Sequence, residues 1–183
     1  MYFETERLII REVEKKDVDD IWEGLNNLEV SKWLAGVPYP YTREHAAYFV
    51  DASLAMMALN PRNDYVFVIE EKGKSKVIGS FSINIKNRYH GIAEGGIWFN
   101  AKYHGHGYAT EAWKKRCEIA FKELGLRRLE NGFFDGNEAS KHMQLKCGYS
   151  IEGLRKKRYK CLATGEYKDE VVTALLKEEW ERL

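Results

Sequence analysis

Seven consecutive residues, His104-Gly105-His106-Gly107-Tyr108-Ala109-Thr110, place two glycines at the entrance of an amphipathic stretch. Glycine lets the backbone approach a ligand without a Cβ clash. The first N–H groups of a following helix lack internal partners, and the helix dipole adds partial positive charge there. Such a turn binds a phosphate or pyrophosphate with no basic side chain required. The same residues also suit a tight strand–helix connection with packing glycines, and G-x-G alone does not choose between the two. Two better-defined phosphate motifs fail. A P-loop ending at Gly73-Lys74-Ser75 would need a glycine where Val68 stands, and a Rossmann fingerprint would need Gly or Ala at Thr110. His104 and His106 form an H-x-H pair without an identifiable third ligand, so no metal centre is expected.

Positioning this turn requires a strand before it and a helix after it, and the pattern supplies both. Residues 90–100 (HGIAEGGIWFN) read as one strand, and residues 108–124 carry Ala112, Trp113, Arg116, Ala120 and Phe121 largely on one helical face, with Gly125 as the stop. Upstream, residues 7–13 read as a strand and 16–25 as a helix spaced on Val18, Ile21, Trp22 and Leu25. Residues 37–41 (VPYPY) must be extended, because each proline disfavours helix in the residue before it. Thr42 is placed to cap a second helix running through Met57. Strands follow at 65–70 and 76–85, then at 128–134, with Asn137 capping a shorter helix that ends near Gly148. Strands at 149–154 and 169–176 complete the set. Hairpin-paired strands followed by alternation with helices give an α+β (mixed α/β) fold class.

Composition bounds the function. The 183 residues suit one domain, 1–183, and 29 basic against 28 acidic residues leave a net charge of +1. A protein that grips nucleic acid through its overall field is therefore not expected. The longest apolar run, residues 54–59, is far short of the roughly 18 residues of a membrane span. The first twelve residues are charged where a signal peptide would be apolar. Three cysteines without C-x-x-C spacing indicate neither a disulfide framework nor zinc. The expectation is a cytoplasmic protein without membrane contact, as a monomer or homodimer.

The segment GIAEGGIWFNAKYHGHGYATEAW resembles the acetyl-CoA-binding motif of the GNAT acetyltransferase superfamily, Q/R-x-x-G-x-G/A. Three further blocks, ETERLIIRE, NEASKHMQLKCGYSIEGLR and TGEYKDEVVTALLKEEW, resemble the branch of ribosomal-protein N-terminal alanine/serine acetyltransferases. His104 departs from the pattern, standing where the superfamily has Gln or Arg. The resemblance implies a GNAT fold, a mixed and largely antiparallel sheet flanked by helices, with acetyl-CoA as co-substrate and no metal. It makes His104, Gly105, His106, Gly107, Tyr108, Ala109 and Thr110 the pyrophosphate loop. It makes Ile97, Trp98 and Phe99 a splayed strand edge that pairs with the pantetheine amides. Asn137 matches the family asparagine that contacts or orders the pantetheine region, a role compatible with capping its helix.

The implied reaction moves acetyl from a thioester to a primary amine, with a protein or peptide N-terminus as the favoured acceptor. A small-molecule amine (aminoglycoside, polyamine or amino acid) is the alternative acceptor, and a non-catalytic acyl-CoA-binding regulator is the alternative class. Backbone N–H groups near Trp98 would serve the oxyanion. Glu94 is the candidate base, sharing a face with Gly96 and Trp98 by strand alternation, and Glu130 is the second choice. Many superfamily members have a tyrosine acid where this chain has Gln144; Ser140 matches a serine typical of the branch and would donate to sulfur instead. Trp33, Tyr39 and Tyr41 fall in the region that walls the family's acceptor pocket. The basic run at residues 155–160 (RKKRYK) reads as a solvated hairpin face, or as an attractor of an acidic acceptor, the coenzyme's 3′-phosphate or ribosomal RNA.

Overall fold

The computed structural model describes all residues, 1–183. Its strands are β1 (Tyr2–Glu4), β2 (Leu8–Glu12), β3 (Asp64–Glu71), β4 (Val77–Asn87), β5 (Ile92–Glu94), β6 (Ile97–Phe99), β7 (Arg128–Phe134), β8 (Ser150–Lys160) and β9 (Tyr167–Leu176). They form one sheet in the order β1-β2-β3-β4-β5-β7-β9-β8, with β6 paired to β4 beyond the end of β5. Every pairing is antiparallel except β5 with β7. No helix is long and apolar enough to cross a membrane.

Helices cover both faces of the sheet. On one, α1 (Val18–Leu25), α2 (Leu28–Ser31) and α3 (Arg43–Met57) enclose a core around Ile21, Tyr41, Val50 and Val68. On the other, α4 (Tyr108–Glu118) and α5 (Glu138–Lys146) close a larger core around Phe67, Phe81, Trp113 and Leu129. The caps expected at Thr42 and Asn137 are present, each side chain accepting a hydrogen bond from the backbone three residues on. Beyond α4 the helix widens into a π-type turn at Ile119–Glu123, which brings Phe121 against Trp180 of α6 (Lys177–Trp180) at 5.3 Å. The β1 strand and α2 were not anticipated, since three and four residues are too short to display a period. The β8–β9 hairpin is longer than expected. Nearly all of β8 is exposed, so its residues carry no alternation; the basic run lies there, and Arg155 pairs with Glu170.

The strand expected over residues 90–100 is interrupted at Gly95-Gly96. Register against β4 is nevertheless the same on both sides, with Asn84 opposite Glu94 and Phe81 opposite Ile97. A continuous ladder would have Gly96 N–H donate to the Ser82 carbonyl. Instead that carbonyl accepts from Arg116 Nε at 2.9 Å, and Gly96 N–H turns to Ser82 Oγ at 3.2 Å. A Cβ at residue 95 would lie 2.0 Å from the Ser82 carbonyl oxygen, so only glycine fits. An arginine from the helix layer thus occupies the ladder position at which the strand is interrupted.

Candidate active site

Past that break, β6 pairs only with β4 and diverges from β7, leaving one strand edge open. Gly96 C=O accepts from Ser82 N–H, and Asn100 N–H donates to Ile78 C=O. The two-residue alternation then turns the Trp98 backbone toward β4 and those of Ile97 and Phe99 toward the open edge. The available N–H groups are therefore those flanking Trp98 in the chain. The Phe99 carbonyl is already engaged by His104 Nε2 at 2.9 Å. A cleft of about 650 Å³ lies along this edge, between β6, the start of α4, β7 and α5.

The glycine turn forms one end of the cleft. Gly105 and Gly107 both have φ of +79°, and Gly107 is the N-cap of α4. None of the six amides from Gly105 to Thr110 donates to an acceptor within the chain, which is the condition for an anion site at a helix start. The outer side of the turn is braced by Arg7, whose Nη1 donates to the His106 carbonyl at 2.9 Å while its guanidinium lies 4.5 Å from the Tyr108 ring and pairs with Glu111. All seven residues except His106 line the cleft; the His106 ring stacks on Tyr108. No group of three or more His, Cys, Asp or Glu is arranged to hold a metal.

The opposite wall carries Asn137, Ser140 and Gln144. Gln144 Nε2 donates to Ser140 Oγ at 3.2 Å, and Gln144 Oε1 accepts from the Thr173 hydroxyl. Ser140 thus receives a hydrogen bond and has its own O–H free to donate into the cleft. Asn131, on β7, also lines the cleft; it is buried, and its Oδ1 has no partner in the chain. The sequence reading passed over Asn131, although a polar residue in phase with Leu129 and Phe133 on an alternating strand was a visible signal. Glu130 lies on the other phase, bonded to Arg128.

On the other side of the sheet is a second cavity, of about 490 Å³, walled by Tyr41, Phe49 and Trp98 among others. Both cavities touch Gly96, Ile97 and Trp98, so they meet at the strand break. Burial pushes the Tyr41 phenol up to about 12 and keeps it neutral. Trp33 lines the first cavity; Tyr39 lines neither. Glu94 shares the face of Trp98, since its partner Asn84 lies in phase with Ser80 opposite Trp98. Its carboxylate is half-exposed, accepts from Lys86 Nζ at 2.9 Å and lines neither cavity.

A family model described as an acetyltransferase (GNAT) domain matches residues 7–150. The chain belongs to the GNAT acetyltransferase family. The N-acetyltransferase YnaD of Bacillus subtilis, itself described as uncharacterized, is 33% identical over 184 residues, covering 98% of this chain and 99% of that one. Among solved structures, the spermidine N-acetyltransferase of Vibrio cholerae in complex with CoA and spermine superposes with a TM-score of 0.81 at 20% identity, over 97% of this chain and 99% of that one. The ribosomal-protein-S5-alanine acetyltransferase of Vibrio fischeri superposes with a TM-score of 0.80 at 20% identity, over 98% of each. At such identities the superpositions establish the fold. The family model and the YnaD likeness make this GNAT protein an N-acetyltransferase.

Proposed function

We propose that this N-acetyltransferase uses acetyl-CoA as donor in the first cleft and acetylates the α-amine of a peptide or protein N-terminus admitted through the second cavity. The observation that carries the reading is the meeting of the two cavities at the open edge of β6. Bound acetyl-CoA supplies the activated acetyl group. The free amides of Gly105 to Thr110 receive its pyrophosphate, and the Ile97 and Phe99 edge pairs with the pantetheine amides as an added strand would. Asn137 and the unpartnered Oδ1 of Asn131 border the same channel. The N–H groups of Ile97 and Phe99 are oriented to receive an oxyanion.

An α-amine suits a site with little base strength. Its ordinary pKa of about 7.7–8.0 makes it roughly 3.5 kcal/mol easier to neutralise at pH 7 than a lysine-type amine near 10.4. Tyr48, which is 77% exposed, stands at the rim of the second cavity, so its mouth is at the surface where a chain end can enter. The branch resemblance of the sequence blocks points the same way, whereas the fold is shared alike with ribosomal-protein and spermidine acetyltransferases. Measuring thiol release from acetyl-CoA against free and N-blocked peptides, polyamines, aminoglycosides and amino acids tests the reading. Turnover confined to free-N-terminal peptides supports it, turnover of small amines alone replaces its acceptor, and binding without turnover to any amine removes the enzymatic reading.

Ser140 donates to the departing sulfur in this scheme. A thiol with pKa near 8.5 leaves readily unaided, so Ser140→Ala should lower kcat only about three- to tenfold with acetyl-CoA affinity retained; an unchanged kcat removes Ser140 from the reaction. Glu94 reaches the acceptor only through solvent from its place beside Lys86. If it takes up the amine proton, Glu94→Gln abolishes the acid-side inflection of the kcat/KM profile, and an unaltered profile excludes it.

A further inference from the structure

The second cavity has one carboxylate in its lining, Asp64, at the start of β3. Asp64 is half-buried and its side chain is in no ion pair; the neighbouring cations are engaged elsewhere, Lys86 by Glu94, and Arg62 by Glu12 and by the backbone carbonyl of Asp64. A directed chain of hydrogen bonds fixes it. Gly96 N–H donates to Ser82 Oγ at 3.2 Å, Ser82 O–H donates to Asn84 Oδ1 at 2.8 Å, and Asn84 Nδ2 donates to Asp64 Oδ1 at 2.8 Å. The single hydrogen bond to the carboxylate comes from a donor on Oδ1, and Oδ2 has no partner in the chain.

Asp64 does not reach the strand break itself. It lies opposite Asn84, whereas Gly96 lies two residues along β4 and one strand further on, opposite Ser82. At about 4.8 Å per strand and 3.4 Å per residue, the two backbones stand about 12 Å apart. An amine presented to the open edge of β6 therefore cannot be the group on Asp64. A second, remote cation of the same acceptor can be, and an otherwise largely apolar cavity makes a single unpaired carboxylate a selective contact for it.

We propose that Asp64 is a specificity-determining residue that receives a second positive charge of the acceptor, on the order of 10 Å from the nitrogen that is acetylated. This rests on the second cavity being the acceptor site. For a peptide acceptor it means a lysine or arginine side chain within the first two residues; for a small molecule it means a diamine.

The test compares kcat/KM for matched acceptors that differ in that charge: Ala-Lys-Ala-Ala amide against its norleucine counterpart, and 1,8-diaminooctane against octylamine. The wild-type enzyme should favour the charged member of at least one pair by about tenfold. Asp64→Asn should reduce that preference to less than about twofold and Asp64→Glu should restore part of it. The absence of any preference in wild type, or its survival in Asp64→Asn, overturns the proposal. Calorimetric titration of the CoA-bound protein with the same pairs reads the preference without turnover; equal affinities for both members of each pair also overturn it. Failure of the peptide reading is distinguishable, because Asp64-dependent acetylation of the diamine with no peptide turned over removes the peptide acceptor and leaves the Asp64 assignment standing.

Discussion

Gly107→Val should weaken coenzyme A binding by about two orders of magnitude, roughly 2.7 kcal/mol, in calorimetric titration. Gly107 holds φ at +79° as the N-cap of α4, a conformation that a β-branched residue adopts only under strain of about 1–3 kcal/mol. The chain relieves that strain by rotating out of the left-handed region. Doing so turns away the adjoining amides, which have no other partner and whose shared orientation is the anion site. The loss should fall on affinity more than on stability, because the turn is exposed and no protein hydrogen bond from those amides is broken. Gly125 is the control: it has φ of +64° just past the π-type turn, at the opposite end of the helix from Gly107, and it lines neither cavity. Gly125→Val should cost similar stability and leave the affinity for coenzyme A unchanged. Equal affinities in Gly107→Val and wild type would disprove the amide site.

Arg116→Met should lower kcat/KM by roughly 10- to 100-fold while the melting temperature holds or rises. Arg116 is fully buried with no carboxylate partner. Its guanidinium lies 4.2 Å from the Trp113 ring, Nε donates to Ser82 C=O, Nη1 donates to Tyr149 Oη at 3.1 Å, and Nη2 has no partner. Burying an uncompensated cation is costly, so a methionine of similar length need not destabilise the core. Without the guanidinium, the Ser82 carbonyl is free to take the Gly96 N–H, and β5 and β6 close into one ladder. The divergence from β7 that exposes the Ile97 and Phe99 amides then narrows, and the positive charge beneath the break is gone. Full activity in Arg116→Met would show that the open edge does not depend on this contact, and a collapse of stability would show that the arginine is chiefly structural.

Much of this architecture was legible along the chain. Helical spacing at Ile21 and Leu25, the caps at Thr42 and Asn137, and the glycine turn before α4 are local signals, and local geometry honoured them. The four blocks that resemble the acetyltransferase family were likewise readable as linear motifs, and the family match over residues 7–150 overlaps the first three, the fourth (residues 164–180) lying beyond it. Other features depend on atoms far apart in the chain. Residues 90–100 read as one strand, yet the ladder is interrupted at Gly95-Gly96, where Arg116, from a helix 20 residues later, holds the Ser82 carbonyl that a continuous ladder would use. Asn131 lines the first cavity because β7 arrives beside the break, and Asp64 lines the second because β3 pairs with β4 one strand away from it, while Glu94 is drawn to Lys86 and away from both. Periodicity and capping reflect preferences of a segment for its own conformation, so sequence alone determined the longer helices and strands and the glycine turn, but not β1, α2 or the division of β5 from β6. Which carbonyl a buried guanidinium claims, and which carboxylate is left unpaired, are outcomes of competition among side chains brought together by folding, and tertiary structure alone decided them.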